Sequence, residues 1–169
     1  YLTQAALVAA MYFVLTWLSN IFGLASGAVQ LRLGEALCVL PYFMPAAVPG
    51  LFVGCLLSNL SMSLAIWDTV FGSLATLIGA FVASRLRTKW LTPLPTVLAN
   101  TVIVPFVVLF CYTEGVKSVG VYAGIAVGVF AGEVLSAYVL GMVLLLALDR
   151  KKEIFTKKKT EQITCSVFK

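Results

Sequence analysis

The sequence predicts an all-α membrane protein: a bundle of six transmembrane helices with both termini in the cytoplasm. Three observations predict it. The 169 residues are 61% hydrophobic and 11% charged, with a mean hydropathy of +1.02, whereas a soluble domain is about half apolar and about a quarter charged. Apolar stretches alternate with short polar ones. The basic residues gather in two clusters, Arg85/Arg87/Lys89 and Arg150/Lys151/Lys152/Lys157/Lys158/Lys159, each following an apolar segment as cytoplasmic loops do.

Taken in order, helix one spans about Leu2 to Phe22. It is too long for a signal-peptide core and lacks a cleavage site, so it reads as a retained helix, with a short leader expected before Tyr1. A polar loop, Gly23 to Gly34, carries Gln30 and Arg32. Helix two, about Glu35 to Met44, and helix three, about Pro49 to Leu60, flank a Pro45/Pro49 turn. Both are too short to cross alone, since a crossing takes about 20 residues. Helix four runs from about Asp68 to Ser84 and ends in the first basic cluster. Pro93 and Pro95 open helix five, which reaches about Tyr112. Helix six, about Val119 to Leu148, extends about 45 Å and must tilt or protrude. Residues 1–150 form one membrane domain, and 151–169 a mobile basic tail. Placing both basic clusters inside puts the loops Gly23–Gly34, Ser61–Ile66 and Glu114–Ser118 on the outer face.

The net charge of +5 does not indicate nucleic-acid binding, because most of the basic residues lie in those clusters; the tail suits anionic lipid better. Cys38, Cys55, Cys111 and Cys165 form no CxxC pair, and histidine is absent, so neither a metal site nor a disulfide frame is expected. No phosphate-binding Gly-xxxx-Gly-Lys loop is present. ATP hydrolysis, enzymatic activity and a resident cofactor are therefore not expected in this chain.

Small residues mark close helix packing: Gly120/Gly124/Gly128/Gly132 on helix six, Gly50/Gly54 on helix three, and Ala5/Ala6/Ala9/Ala10 on helix one. They suit internal packing or a membrane partner, helix one being the better docking candidate. Polar residues at membrane depth usually face a cavity or a partner. Glu133, in mid-helix six, is either a ligand group or a structural carboxylate paired with a residue such as Arg32. Asn100 is either interhelical glue or a ligand contact. Arg32 and Glu35 suit a local ion pair or a site. Trp67 suits the interfacial belt, and Asp68 a helix cap. In the expected topology Arg32, Glu35, Asn59, Trp67 and Asp68 converge on one end, with Asn100 and Glu133 below.

The stretch Gln30–Pro41 (QLRLGEALCVLP), with Ala99–Pro105 (ANTVIVP) and Gly132–Glu133, resembles the QueT family of queuosine-precursor transporters across most of residues 1–150. The resemblance implies a substrate-binding (S) component of a bacterial energy-coupling factor (ECF) importer in the cell membrane. Such a protein captures its ligand from outside. It docks on a transmembrane T component coupled to two cytoplasmic ATPases, and is thought to topple during transport. It further implies docking through the helix-one alanines, Ala5 and Ala9 with Ala6 and Ala10. The implied ligands are 7-deazaguanines: preQ0, preQ1 or queuine. Glu133 first and Glu35 second would accept the N1–H and 2-amino donors, Asn100 or Arg32 would serve O6, and Trp67 (or Tyr42 or Phe71) would stack on the ring. Asp68 would pair with an aminomethyl ammonium. The alternatives are an S component for thiamine, riboflavin or biotin, and a scaffold subunit that binds no ligand.

Overall fold

The computed structural model describes residues 1–24, 31–62, 66–111 and 119–150, without the side chains of Asp68 and Cys111. Gln30, Lys117, the side chain of Asp68, the Glu114–Ser118 loop, half of each of the two other expected outer loops and the 151–169 tail lie outside the described residues.

Helix α1 (Leu2–Ile21) ends where Gly23 adopts φ +69°. That left-handed turn lets Gly23 N–H reach Asn20 O at 3.0 Å and Leu24 N–H reach Ser19 O at 2.9 Å, which satisfies carbonyls that the helix end leaves open. The chain re-enters through extended Arg32, and Leu33 N–H donates to Ser19 Oγ at 2.8 Å.

From there the structure departs from the expected second α-helix. Leu33–Tyr42 winds as a 3-10 helix with Pro41 inside it. The tighter coil has a physical rationale. This segment runs through the middle of the bundle, touching α1 and the helices described below on its other sides, and a 3-10 helix is slimmer than an α-helix. Its rise of about 2.0 Å per residue carries ten residues some 20 Å, where an α-helix would cover about 15 Å. Gly34 is needed at its start, since a β-carbon there would collide with Thr16 Oγ1 and lie 3.1 Å from Tyr12 O.

Helix α2 (Ala47–Met62) lies parallel to α1 at very close range. A β-carbon at Gly50 would sit 2.6 Å from Ala5 O, and one at Gly54 would sit 2.8 Å from Ala9 O. Helix α3 (Ile66–Arg85) packs on α2 and on α4 (Leu94–Cys111). Its Gly79 admits the backbone of Thr96, whose Cα would be 2.6 Å from an added β-carbon. The linker between α3 and α4 contains a 3-10 turn, Lys89–Leu91.

The last 32 residues described, Val119–Arg150, form one continuous helical rod built of α5 (Val119–Glu133), a π-helical stretch (Val134–Leu140) and α6 (Gly141–Arg150). The π stretch, which a simple apolar pattern does not announce, starts at the residue after Glu133. It ends at Gly141, where Val39 and Ala36 of the 3-10 helix approach closely.

The core is made of Val8 and Tyr12 from α1, Leu37, Cys38 and Leu40 from the 3-10 helix, Ala47, Leu51 and Cys55 from α2, and Ala80 from α3. The outer surface is apolar as well: Met11, Trp17, Phe81, Val102, Phe106 and Val143 are all exposed. Large exposed apolar surfaces are unusual on soluble monomers and normal against lipid. Three helices (Leu2–Ile21, Lys89–Phe110 and Val119–Arg150) are long and apolar enough to cross a bilayer. One end of the bundle gathers Tyr1, whose hydroxyl donates to Pro45 O at 3.4 Å. The exposed Arg85, Arg87 and Arg150 and the Lys89–Asp149 ion pair of 2.6 Å belong to the same end.

Candidate functional site

Away from the basic end, the described helices hold polar groups that an apolar bundle does not need. They fall into three connected sets.

The first lies between α4 and α5. Asn100 Nδ2 donates to Glu133 Oε1 at 3.0 Å, and both residues are buried, at 3% and 5% exposure. Glu133 Oε2 has no hydrogen-bond partner. A buried polar atom without a partner is costly, and few survive in a folded protein without a reason. The onset of the π stretch immediately after Glu133 fits, since such local unwinding often accompanies functional sites.

The second set joins α1 to the 3-10 helix. Tyr12 Oη donates to Glu35 Oε1 at 2.5 Å, and Cys38 Sγ donates to Glu35 Oε2 at 2.9 Å. All three side chains are buried. Both carboxylate oxygens of Glu35 are therefore engaged by neutral donors from its own fold. The third set connects the start of the 3-10 helix to α2 and α3. Arg32 Nη1 donates to Asn59 Oδ1 at 3.3 Å, and Asn59 Nδ2 reaches Cys55 Sγ at 3.5 Å. Thr76 Oγ1 closes the set on Cys55 Sγ at 3.4 Å.

The sets adjoin: Arg32 and Glu35 lie three residues apart at the start of the 3-10 helix, and that helix packs on the π stretch that follows Glu133. Thus the residues singled out in sequence divide clearly. Arg32, Glu35, Asn59, Asn100 and Glu133 come together in the bundle. Glu133 takes Asn100 as its partner, and Arg32 takes Asn59. Trp67 stands apart: it is 59% exposed and stacks on Phe71, with centroids 6.1 Å apart. Tyr42, at the far end of the 3-10 helix from Glu35, makes an edge contact with Phe43.

The helix-one alanines divide too. Ala5 and Ala9 are buried against α2 at Gly50 and Gly54, while Ala6 and Ala10 are exposed. The physical reason is the α-helical period: the two Ala-xxx-Ala pairs sit about 100° apart, so one pair faces inward and the other outward.

Tyr12, Cys38, Cys55 and Thr96 are parts of this region that sequence reading passed over. Tyr12 carried a usable signal, because a buried tyrosine hydroxyl requires a partner. Thr96, fully buried one turn before Asn100 on α4, has a hydroxyl without a hydrogen-bond partner. No group of three or more His, Cys, Asp or Glu suited to a metal ion occurs among the described residues.

An acceptor atom left open beside an amide, deep inside an apolar helical bundle, is what a binding site for a small polar molecule requires. A model of the QueT transporter family matches residues 2–150. The chain belongs to the QueT transporter family. A curated relative from Lactococcus lactis subsp. cremoris (strain MG1363), named queuosine precursor transporter QueT, is 32% identical over 73 residues. That stretch covers 43% of this chain and 43% of the relative, so the alignment spans less than half of the relative's length. No solved structure matches the chain. Family membership makes the apolar exterior intelligible as a lipid-facing surface, and makes the buried polar unit a candidate place for transported cargo.

Proposed function

We propose that this chain is the substrate-binding component of an ECF-type importer and captures a 7-deazaguanine queuosine precursor (preQ1, preQ0 or queuine) from outside a bacterial cell. One observation supports this most: the buried Asn100–Glu133 pair with Glu133 Oε2 open. A 7-deazaguanine carries N1–H and the 2-amino group side by side as donors. A carboxylate with one free oxygen, held in place by an amide through the other, matches that edge. The family match and the name of the Lactococcus relative support the same cargo class. Six passes, with the basic end in the cytoplasm, follow from the positive-inside rule.

Two assignments change in the light of the geometry. Glu35 acts from behind the site, because its oxygens already accept from Tyr12 and Cys38. Docking on the T component falls to the outward pair Ala6 and Ala10. With no phosphate-binding loop in the sequence, the driving ATPases belong to separate chains.

Calorimetry on the detergent-solubilised chain tests the proposal, with preQ1, preQ0 and queuine set against guanine, thiamine and riboflavin. Tight binding of a deazaguanine and silence of the vitamins is the expected result. Glu133→Gln should weaken that binding at least about 100-fold, since an amide presents a donor where a charged acceptor is required and leaves a buried mismatch. Unchanged binding in Glu133→Gln would remove the assignment. A vitamin as sole ligand would replace the cargo.

A further inference from the structure

Resting on that reading, we infer that the Thr96 hydroxyl forms the floor of the site and donates to the 6-oxo group of the cargo, so that the site selects bicycles with a strong acceptor at that position. Thr96 is an exception among the hydroxyls of the bundle. Ser58, Ser73, Thr76 and Ser136, all buried, each donate to the carbonyl four residues back, at 2.6–3.2 Å. Thr101, also on α4, does the same at 2.7 Å. This local bond is the usual way for a hydroxyl to be satisfied in an apolar helix. Thr96 is fully buried, yet its Oγ1 has no hydrogen-bond partner. A hydroxyl that forgoes the carbonyl behind it and is cut off from water keeps a donor to spare, at a cost.

Its place connects it to the open carboxyl oxygen. Thr96 and Asn100 are four residues apart on α4, so their side chains leave one face of the helix about 5–6 Å apart. Asn100 holds Glu133 Oε1 at 3.0 Å, and Glu133 Oε2 is open. An open hydroxyl and an open carboxyl oxygen therefore flank one buried amide. Helix α4 begins at Leu94, after the Lys89–Leu91 turn of the basic end, so Thr96 lies deeper than Asn100 for a ligand arriving from the other end. Packing holds it there: a β-carbon on Gly79 of α3 would lie 2.7 Å from Thr96 Oγ1. The Cys38 thiol is a neighbour of this hydroxyl, but its proton goes to Glu35 Oε2 at 2.9 Å, and sulfur is a weak acceptor. The hydroxyl thus lacks a strong acceptor, and the 6-oxo group of a 7-deazaguanine is one. That oxygen adjoins N1–H, the donor assigned to Glu133. Asn100 and Arg32, the donors expected for O6 from sequence, are drawn instead to Glu133 and Asn59.

The experiment is calorimetry on the full detergent-solubilised chain with two ligands, preQ1 and its 6-thioxo counterpart. Both keep N1–H and the 2-amino group, so the contacts assigned to Glu133 are common to them, whereas sulfur accepts a hydrogen bond far more weakly than oxygen. The parent should prefer preQ1 by about tenfold, as one buried hydrogen bond left unmet implies. Thr96→Val and Thr96→Ala both remove the hydroxyl, the first with the shape kept. In each, the preference should fall to within about threefold, with preQ1 losing affinity and the thioxo compound holding its own. Thr96→Ser keeps the hydroxyl and should keep the preference. No preference in the parent, or a full preference in either hydroxyl-free variant, would overturn the contact and leave the transporter reading standing. Equal weakening of both ligands would make Thr96 a packing residue. Binding of neither compound by the parent would remove the deazaguanine reading, and this inference with it.

Discussion

At the scale of single residues, the sequence disclosed those whose presence in an apolar segment is energetically odd, and concealed those that look at home there. Glu133 and Asn100 were visible because a carboxylate and an amide at membrane depth need an explanation. Their mutual bond at 3.0 Å was not visible, since it joins residues 33 apart across a helix interface. Cys38 reads as a small hydrophobe, yet it donates to Glu35. Nothing in sequence distinguishes a cysteine that packs from one that also bonds. Trp67, an aromatic at the expected end, has its ring exposed and stacked on Phe71. The Asn100–Glu133 pair carries its own prediction. Asn100→Leu removes the donor that fixes Glu133 Oε1 while keeping the side-chain volume similar. It leaves a buried carboxylate with a second unsatisfied oxygen, a loss worth about 1–3 kcal/mol. Deazaguanine affinity measured by calorimetry should fall by roughly 10–100-fold. Affinity within about twofold of the parent would show that the amide is packing material rather than a positioning group.

At the scale of helices, the six apolar segments were legible and their ends fell within a few residues, because proline, glycine and charge punctuate the chain. The internal winding was not legible. A 3-10 path for Leu33–Tyr42 and a π stretch after Glu133 are set by what surrounds them in the bundle, and the local apolar pattern is the same whichever way the backbone coils. Glycine spacing likewise announced close approach without saying which glycines are approached. The longer run on α5 includes Gly124, where an added β-carbon meets nothing within 4 Å, whereas the shorter Gly50/Gly54 pair is clasped by α1. Two substitutions should therefore diverge. Gly54→Ala drives a β-carbon to 2.8 Å from both Ala9 O and Tyr12 Cβ, displacing α1 and the Tyr12 hydroxyl that holds Glu35. Such overpacking costs about 1–3 kcal/mol, so the melting temperature in detergent should drop by several degrees, on the order of 2–8 °C. Gly124→Ala faces open space and gains helix propensity, so its melting temperature should be unchanged or slightly raised. Equal losses at both positions would mean that α5 is clasped as tightly as α2.

At the scale of the whole molecule, one chain of contacts shows which ends of the segments lie together. The positive-inside rule fixes a side but not the path of the short second and third segments. The structure supplies that path. Parallel packing of α1 on α2, with Ala5 at Gly50 and Ala9 at Gly54, forces the 3-10 helix between them to return the chain to its starting end. Tyr1 accordingly meets Pro45. Three further reversals, into α3, into α4 and into the final helical rod, bring Asp149 to Lys89. Ten residues suffice for the return because the 3-10 rise is longer and because that segment is surrounded by other helices, so it need not span the full lipid thickness. Had Leu33–Tyr42 stayed on one side, α2 would run antiparallel to α1 and, with Arg85 inside, α1 and the Gly23–Gly34 loop would change sides. Membrane-impermeant maleimide separates the two cases. With the four native cysteines replaced, a single cysteine at Leu24, which is exposed just past the end of α1 that the proposed orientation puts outside, should label on intact cells. One at Arg87 should label only after permeabilisation. One at Pro45, at the turn between the 3-10 helix and α2, decides the path. Protection there on intact cells, with labelling at Leu24, is expected from a return crossing, and identical behaviour of the two positions would put both ends of the 3-10 helix on one side and dismantle the buried unit that joins Glu35 to Glu133.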